Sequence, residues 1–353
     1  MSRAMMLKGG LLLSLAVASV AATAAPVVAQ TPAQIQAAVD AAYAKYKNVD
    51  DGAVADYIPA LAKVDPKVFG IAVVTADGRT YSAGDLKTEV SIQSISKVYT
   101  MALVMNQQSP EVILNTIGAD ATGMRFNSIV SIEWSFKGLG GSKLEEAAEM
   151  NPLVNPGAIT ATSMVQGKTR AEIWGNIAGF YNAAAGRQLT VLKDVYESEA
   201  ATNQRNQAIG MLMYAYGYIK DNPLQAVDIY TEQCSVGVNA QDLAIMAATL
   251  AFGGTNPVTK QQVLKASAVP PVLAVMATAG LYDDAGKWLF RTGLPAKSGV
   301  GGGIIAVSPG KFGIAVISPP VDAAGNSVRA QLAIADISNA LGGNPYAITG
   351  PAR

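Results

Sequence analysis

A serine and a lysine three residues apart, Ser94 and Lys97, could together make a hydroxyl group nucleophilic. Ile95, Val98 and Ala102 recur after the serine at helical intervals, and they predict a buried helix that begins here. Because residues three apart share one face of a helix, the amine of Lys97 could reach the hydroxyl of Ser94. The positive end of the helix dipole would help to activate a serine in the first turn.

The chain has no histidine among its 353 residues. A Ser-His-Asp triad, a Cys-His pair and histidine metal sites are therefore excluded, and the scattered carboxylates predict no metal site. Lysine is then the natural base for a serine nucleophile. A Ser-x-x-Lys spacing also arises by chance in a long chain, so an N-capping serine followed by a surface lysine is the alternative interpretation.

A second motif, Lys297-Ser298-Gly299, precedes Val300, three glycines and a predicted strand. Alone it would be an ordinary turn. A Ser-x-x-Lys helix start and a Lys-Ser/Thr-Gly triplet are, however, paired in serine β-lactamases and penicillin-binding proteins. Burial and the second cation, Lys297, are expected to lower the pKa of Lys97 so that it can accept a proton. The backbone N–H groups of Ser94 and Val300 could then bind a developing oxyanion.

Composition excludes several other classes of function. Half of the residues are apolar, 15% are charged, and 26 Lys and Arg balance 26 Asp and Glu. This balance indicates neither a nucleic-acid partner nor attraction to an anionic membrane. The single cysteine, Cys234, permits no internal disulfide. The length allows one large domain or two modest ones.

The N-terminus has the pattern of a secretory signal peptide. Arg3 and Lys8 precede the apolar run Leu11–Val20, and Ala22-Thr23-Ala24 follows as a small-x-small cleavage pattern. A second possible cleavage site ends at residue 29, so we assign residues 1–29 to the signal peptide. The apolar run is too short for a stable membrane anchor. We expect an exported protein, periplasmic in a Gram-negative cell.

Strand patterns lie at both ends of the mature chain, with helical patterns between them. Two hairpins are predicted, one over residues 69–82 and one over residues 303–317. Helices are predicted to begin at Thr31-Pro32 and at Asn326. These elements predict an α/β fold with one antiparallel sheet built from N- and C-terminal segments, flanked by helices, and an all-α inserted subdomain. We assign residues 30–98 and 279–353 to the α/β part and 99–278 to the helical part.

Nearly the whole mature chain, from about Gly52 to Leu341, resembles the serine-dependent glutaminases, which have the β-lactamase-like fold. The matching segments include Ala55–Pro59, Ser91–Val98, Phe126–Ile129, Asn151–Ile159, Tyr196–Glu199, Arg205-Asn206, Tyr230–Ser235, Gly280–Asp283 and Pro295–Gly303. The chain departs from the family pattern at residues 130–150, where it is longer.

The resemblance implies hydrolysis of L-glutamine to L-glutamate and ammonia through a covalent acyl-enzyme, without a cofactor. Ser94 is then the nucleophile, Lys97 the base with Lys297 in support, and Tyr282 and Tyr57 the catalytic tyrosines, with Tyr282 relaying a proton to the leaving amine. Ser94 and Val300 supply the oxyanion hole. The substrate-binding positions are Ser94, Asn155, Glu199, Asn206, Tyr230, Tyr282 and Val300. Because the family commonly forms dimers or tetramers, a homo-oligomer is also implied.

Two alternatives remain at this point. A penicillin-recognising hydrolase of the same fold would need a Ser-Asp-Asn or Tyr-x-Asn element, of which Leu153-Val154-Asn155 keeps only the asparagine. A non-catalytic periplasmic amino-acid binder would not need the serine and both lysines. Labelling by a fluorescent penicillin would support the first, and glutamine binding without turnover the second.

Overall fold

The computed structural model describes residues 30–134 and 150–347. The strands in these residues are β1 (Gly70–Thr75), β2 (Thr80–Gly84), β3 (Val90–Ser91), β4 (Gly237–Val238), β5 (Ala296–Gly299), β6 (Gly303–Ser308) and β7 (Phe312–Ile317). Five of them form an antiparallel sheet in the order β2-β1-β7-β6-β5, and β3 pairs with β4. Ile71 of β1 lies opposite Val316 of β7. The two ends of the chain therefore build one sheet, as predicted.

The described residues also form helices. They are α1 (Pro32–Tyr46), α2 (Ser96–Gln107), α3 (Pro110–Thr116), α4 (Val130–Trp134), α5 (Asn155–Ser163), α6 (Arg170–Ala185), α7 (Lys193–Thr202), α8 (Gln204–Ala215), α9 (Pro223–Cys234), α10 (Ala240–Ala251), α11 (Val269–Ala279), α12 (Ala285–Thr292) and α13 (Val328–Ala340). Thr31 caps α1 in a capping box with Gln34, which satisfies two backbone donors at the predicted start.

Both faces of the sheet are buried, and alternate residues of each strand face opposite sides. Ile71 and Val73 pack in the core that includes residues of α1 and α13. Ala72 and Val74 pack in the second core, with residues of α2 and α10. Burial on both sides explains why these strands read as continuous apolar runs instead of alternating apolar and polar residues.

Helix α10 joins the helical region to the sheet. An added Cβ on Gly313 of β7 would lie 2.1 Å from the backbone nitrogen of Ala248 in α10, so only glycine permits this close approach. Helix α10 falls in the range that the sequence assigned to the helical part, yet it covers one face of the sheet. The exact division of the chain into two parts stays a prediction.

The segment that contains Ser94 differs from the sequence expectation. Helix α2 begins at Ser96, and Ser94 lies in a 3-10 turn, Gln93–Ile95, immediately before it. Gln93 has a φ of 48°, a left-handed conformation that a residue with a side chain rarely adopts. This turn bends the chain from β3 into α2.

Two sequence predictions lie wholly or mostly outside the described residues. These are the signal peptide at residues 1–29 and the longer segment at residues 130–150, of which α4 and Met150 are described. Within the described residues, no helix combines the length and the apolar character needed to cross a membrane.

Candidate active site

The structure brings the predicted nucleophile and base together. Lys97 Nζ lies 2.9 Å from Ser94 Oγ. Ser94 is the middle residue of the 3-10 turn, and Lys97 lies in the first turn of α2. The Lys97 side chain is only 1% exposed. A buried amine at hydrogen-bond distance from a serine hydroxyl has the geometry that a general base requires.

Asn155 orients the amine of Lys97. Lys97 Nζ donates to Asn155 Oδ1 at 2.7 Å, and the Tyr230 hydroxyl donates to the same oxygen at 3.2 Å. Asn155 Nδ2 donates to Asn206 Oδ1 at 2.9 Å, which fixes the orientation of the Asn155 amide. Three predicted substrate-binding residues, Asn155, Asn206 and Tyr230, therefore form one network with the base.

Burial lowers the pKa of Lys97 to about 8, while Cys234 and Glu199 oppose this shift. The expectation that Lys297 would lower the pKa of Lys97 finds no support among these causes. Instead, burial and then the charge of Lys97 lower the pKa of Lys297 well below its usual value. Lys297 Nζ donates to the Ser298 carbonyl at 2.7 Å. The charge of Lys97 therefore lowers the pKa of Lys297, and not the reverse.

The end of β5 packs against the backbone of Ser94. A Cβ added to Gly299 would lie 2.7 Å from the Ile92 carbonyl oxygen and 3.3 Å from the Ser94 nitrogen. Glycine therefore allows the strand that leads into Val300 to approach the Ser94 turn. Val300 itself is buried and lines the same cavity as Ser94. This arrangement suits two backbone donors that serve one oxyanion.

Tyr282 is buried, with its ring beside Lys297 and Phe126. Its ring lies 4.1 Å from Lys297 Nζ and 5.0 Å from the ring of Phe126. Burial raises the pKa of Tyr282 to about 12, although hydrogen bonds with Ser94 and Ser298 lower it. Its hydroxyl therefore remains protonated at neutral pH. Its φ is 53°, and strained backbone of this kind is common at functional sites.

Glu199 supplies a buried carboxylate. It lies on α7, is 7% exposed and accepts a hydrogen bond of 3.3 Å from Gln93 Nε2. Burial raises the pKa of Glu199 to about 7, whereas Gln93 and Lys97 lower it. A bound cation would favour the ionised form further. Glu199 is therefore suited to bind a substrate ammonium group.

Several of these residues line a cavity of about 270 Å³, whereas Lys97, Tyr282 and Lys297 are not part of its lining. It is lined by Tyr57, Ile58, Gln93, Ser94, Phe126, Asn127, Asn155, Glu199, Thr202, Asn203, Arg205, Asn206, Tyr230 and Val300. Tyr57 is 57% exposed and lies at the edge of the cavity. Its catalytic role stays a prediction. A larger cavity of about 660 Å³, between the start of α1 and the β1–β2 turn, is lined by none of the predicted site residues.

Sequence reasoning missed two residues of this site. Gln93 connects Glu199 to Ser91, with Nε2 3.2 Å from Ser91 Oγ, and Phe126 packs on Tyr282. A signal for Gln93 was present, because it is a polar residue directly before the nucleophile in a run of buried residues. Phe126 could be recognised only through its matching segment, since its partner is far away in the sequence.

Comparison with known proteins shows the family of the chain. The family model described as Glutaminase matches residues 52–346. A glutaminase of Colwellia psychrerythraea is 49% identical over 321 residues, covering 90% of this chain and 100% of the relative. A glutaminase of Mycobacterium ulcerans is 47% identical over 309 residues, covering 88% of this chain and 93% of the relative.

Solved structures give the same result. The probable glutaminase ybaS superposes with a TM-score of 0.86 at 42% identity, covering 90% of this chain and 100% of the other. Mglu in its glutamate form superposes with a TM-score of 0.82 at 34% identity, covering 90% and 71%. The fold and these likenesses define an amidohydrolase with the β-lactamase-like fold. The chain belongs to the glutaminase family, which sets aside the penicillin-recognising and non-catalytic alternatives.

Proposed function

We propose that this enzyme hydrolyses L-glutamine to L-glutamate and ammonia through a γ-glutamyl ester of Ser94. The observation that carries the mechanism is the 2.9 Å contact between Lys97 Nζ and Ser94 Oγ, together with the lowered pKa of the buried Lys97, about 8. Near neutral pH, about a tenth of Lys97 is then uncharged and able to act as a base.

Acylation begins when neutral Lys97 accepts the proton of Ser94. The Ser94 oxygen attacks the γ-amide carbon, and the backbone N–H groups of Ser94 and Val300 bind the oxyanion. The C–N bond then breaks, and the leaving nitrogen receives a proton that originates at Lys97 and passes through the Tyr282 hydroxyl. Ammonia leaves, and the γ-glutamyl group stays on Ser94 as an ester.

Deacylation repeats these steps with water. Neutral Lys97 accepts a proton from a water molecule, which attacks the ester carbonyl while the same two N–H groups bind the oxyanion. The C–O bond to Ser94 breaks, the proton returns to the Ser94 oxygen, and L-glutamate is released. No cofactor takes part in either half of the reaction.

Substrate recognition uses the rest of the cavity. Glu199 binds the α-ammonium group, and its position beside Gln93 supports this role because Gln93 fixes the carboxylate. Asn155, Asn206 and Tyr230 contribute neutral donors and acceptors, and Tyr57 closes the mouth. We further propose that the mature enzyme is exported to the periplasm and is a homo-oligomer, a dimer or a tetramer.

Replacing the nucleophile tests this proposal. We expect the mature protein to release ammonia from L-glutamine, and Ser94→Ala to lower kcat by about 10³-fold or more because no ester can form. Ser267→Ala, which removes an exposed hydroxyl outside the cavity, is the control and should retain activity. L-asparagine, assayed in parallel, reports the preference for side-chain length. Equal ammonia release by the wild type and Ser94→Ala would reject the ester mechanism.

A further inference from the structure

The ammonia of the first half-reaction forms beside Tyr282 while the rest of the substrate is still bound. The Tyr282 hydroxyl is hydrogen-bonded to Ser94, and in the proposed acylation it gives the proton to the leaving nitrogen. The γ-glutamyl group then remains on Ser94 as an ester. Glu199, which binds its ammonium group, lies on α7 together with the exposed Thr202 at the mouth of the main cavity. The amino-acid part of the ester therefore lies between the ammonia and that mouth.

Tyr282 also lines a second cavity, of about 90 Å³, which we call the side cavity. It lies between residues 121–124, the end of α11 and the start of α12, and no described residue lines both cavities. Exposed residues, among them Met124, Asp283 and Gly286, line it, so it opens to solvent. A molecule the size of water needs about 10–15 Å³ of such space. The side cavity is therefore large enough for ammonia.

The wall between the two cavities is one side chain thick. Phe126 lines the main cavity, and its ring lies 5.0 Å from the ring of Tyr282, which lines the side cavity. Their neighbours repeat this arrangement, because Val154 lines the side cavity and Asn155 the main one. Passage requires the Phe126 and Tyr282 rings to move apart, and the side cavity gives the Tyr282 ring room to turn into.

The charges at the two openings favour exit through the side cavity. Among the described residues that line it, Asp283 is the one that carries a charge at neutral pH, and it is exposed. At the mouth of the main cavity the exposed cation Arg205 faces the solvent, and the carboxylate of Glu199 is occupied by the substrate. Ammonia becomes ammonium in neutral water, and ammonium is attracted by a carboxylate and repelled by a guanidinium group.

We propose that the side cavity is the exit for the ammonia released in acylation, with the rings of Phe126 and Tyr282 as its gate. This inference rests on the proposed hydrolysis of glutamine. A small nucleophile should then reach the ester by the same route in the opposite direction. Hydroxylamine is such a nucleophile. Its nitrogen attacks the ester carbonyl, the C–O bond to Ser94 breaks, the proton lost by the nitrogen goes to the Ser94 oxygen, and γ-glutamyl hydroxamate forms in place of glutamate.

The test measures the ratio of γ-glutamyl hydroxamate to glutamate formed from L-glutamine at a fixed concentration of hydroxylamine. Both products come from the same acyl-enzyme, so the ratio does not depend on the fraction of folded protein. Ala279→Leu fills the side cavity from the end of α11, and Gly286→Leu narrows it from α12. Each should lower the ratio about five-fold, because a narrowed passage hinders hydroxylamine more than the smaller water molecule.

Two variants are matched controls. Gly286→Ala adds a Cβ that meets no atom within 4 Å and should keep the wild-type ratio. Thr202→Leu narrows the mouth of the main cavity instead. It should also keep the wild-type ratio, whatever its effect on the KM for glutamine, because hydroxylamine does not enter there.

A wild-type ratio in both Ala279→Leu and Gly286→Leu would overturn the inference. A fall in Thr202→Leu as large as theirs would do the same, since it would place the route at the main mouth. A wild type that forms neither glutamate nor hydroxamate from glutamine would instead reject the proposed function itself.

Discussion

The ability of Lys97 to act as a base depends on the two side chains that contact its amine. Asn155 Oδ1 accepts a hydrogen bond from Lys97 Nζ, and Ser94 Oγ lies on another side of the same nitrogen. Once Lys97 loses a proton, its remaining hydrogens can stay on Asn155 while its lone pair turns to the serine. A neutral amide partner permits this loss, whereas a carboxylate in the same place would hold the ammonium form.

The pH dependence of the reaction follows from this arrangement. The pKa of Lys97 is lowered to about 8 and that of Glu199 is raised to about 7. The active form needs Lys97 uncharged and Glu199 ionised, so kcat/KM for L-glutamine should rise with pH between 6 and 8.5. Asn155→Asp should shift this rise upward by about one pH unit and lower kcat/KM at pH 7 about ten-fold, because the new carboxylate stabilises charged Lys97.

Initial rates measured across this pH range with both proteins provide the check. Thr202→Ala, a neutral change at the rim of the same cavity, is the control and should keep the wild-type profile. A flat wild-type profile between pH 7 and 8.5, or an Asn155→Asp profile that is lowered but not shifted, would contradict the role assigned to Lys97.

Several residues of the site could be identified from the sequence, some from their type and spacing and others only from the family resemblance. Absence of histidine and the Ser94-x-x-Lys97 spacing were enough to nominate a nucleophile and a base. Glu199, Asn206 and Tyr282 were reached only through the family resemblance, because nothing local distinguishes them. The contact between Asn155 and Lys97 joins residues 58 positions apart, and no periodicity encodes such a contact.

At the level of elements, the decisive junction is the one between the end of β5 and the turn before α2. The added Cβ at Gly299 would overlap the Ile92 carbonyl and crowd the Ser94 nitrogen. Gln93 in this turn already has a left-handed backbone conformation. The turn therefore cannot shift away from an added Cβ without a change in its backbone conformation. The spacing between the two oxyanion donors is thus set by a strand and a turn in direct contact.

Gly299→Ala should therefore separate these donors. We expect kcat to fall by about 10²-fold, as happens when one oxyanion donor is lost, with a smaller change in KM. Overpacking should also lower the free energy of unfolding by about 1–3 kcal/mol. Kinetics with L-glutamine and thermal unfolding of the same samples measure the two effects.

Gly179→Ala is the matched control for this substitution. Gly179 lies within α6 and an added Cβ there meets no atom within 4 Å. It should leave kcat unchanged and stabilise the helix by about 0.5–1 kcal/mol. If Gly299→Ala kept the wild-type kcat, the close contact at β5 would have no catalytic significance.

The sequence predicted elements well where periodicity and caps are strong. The predicted helix start at Thr31-Pro32 agrees with α1, and both hairpins form as expected. The 3-10 turn at Ser94 was not predicted. The apolar residues before and after Ser96 have the same helical spacing, so the sequence does not show that α2 begins only at Ser96. The position of α10 on the sheet was also missed, since an apolar helix pattern shows that a face is buried but not what covers it.

At the scale of the whole molecule, export and assembly can be tested together. Expressed with residues 1–29 in a Gram-negative host, the enzyme should appear in the periplasmic fraction with a mature N-terminus after Ala24 or Ala29. Light scattering of this material should give the mass of a dimer or a tetramer. Deletion of residues 2–29 is the control and should retain the protein in the cytoplasm. Full-length protein that remains cytoplasmic with its leader intact would reject the assignment.

The pairing of β1 with β7 has a consequence for when the enzyme becomes active. The paired residues of these strands lie roughly 240 positions apart in the chain, so closing this loop is entropically costly and must precede a complete site. Ser94 emerges from the ribosome long before Val300, and the two halves of the oxyanion hole meet only after the C-terminal strands have joined the sheet. A chain whose C-terminal strands have not yet joined the sheet therefore cannot hydrolyse glutamine, and under the proposed export this would spare the glutamine of the cell that makes the enzyme.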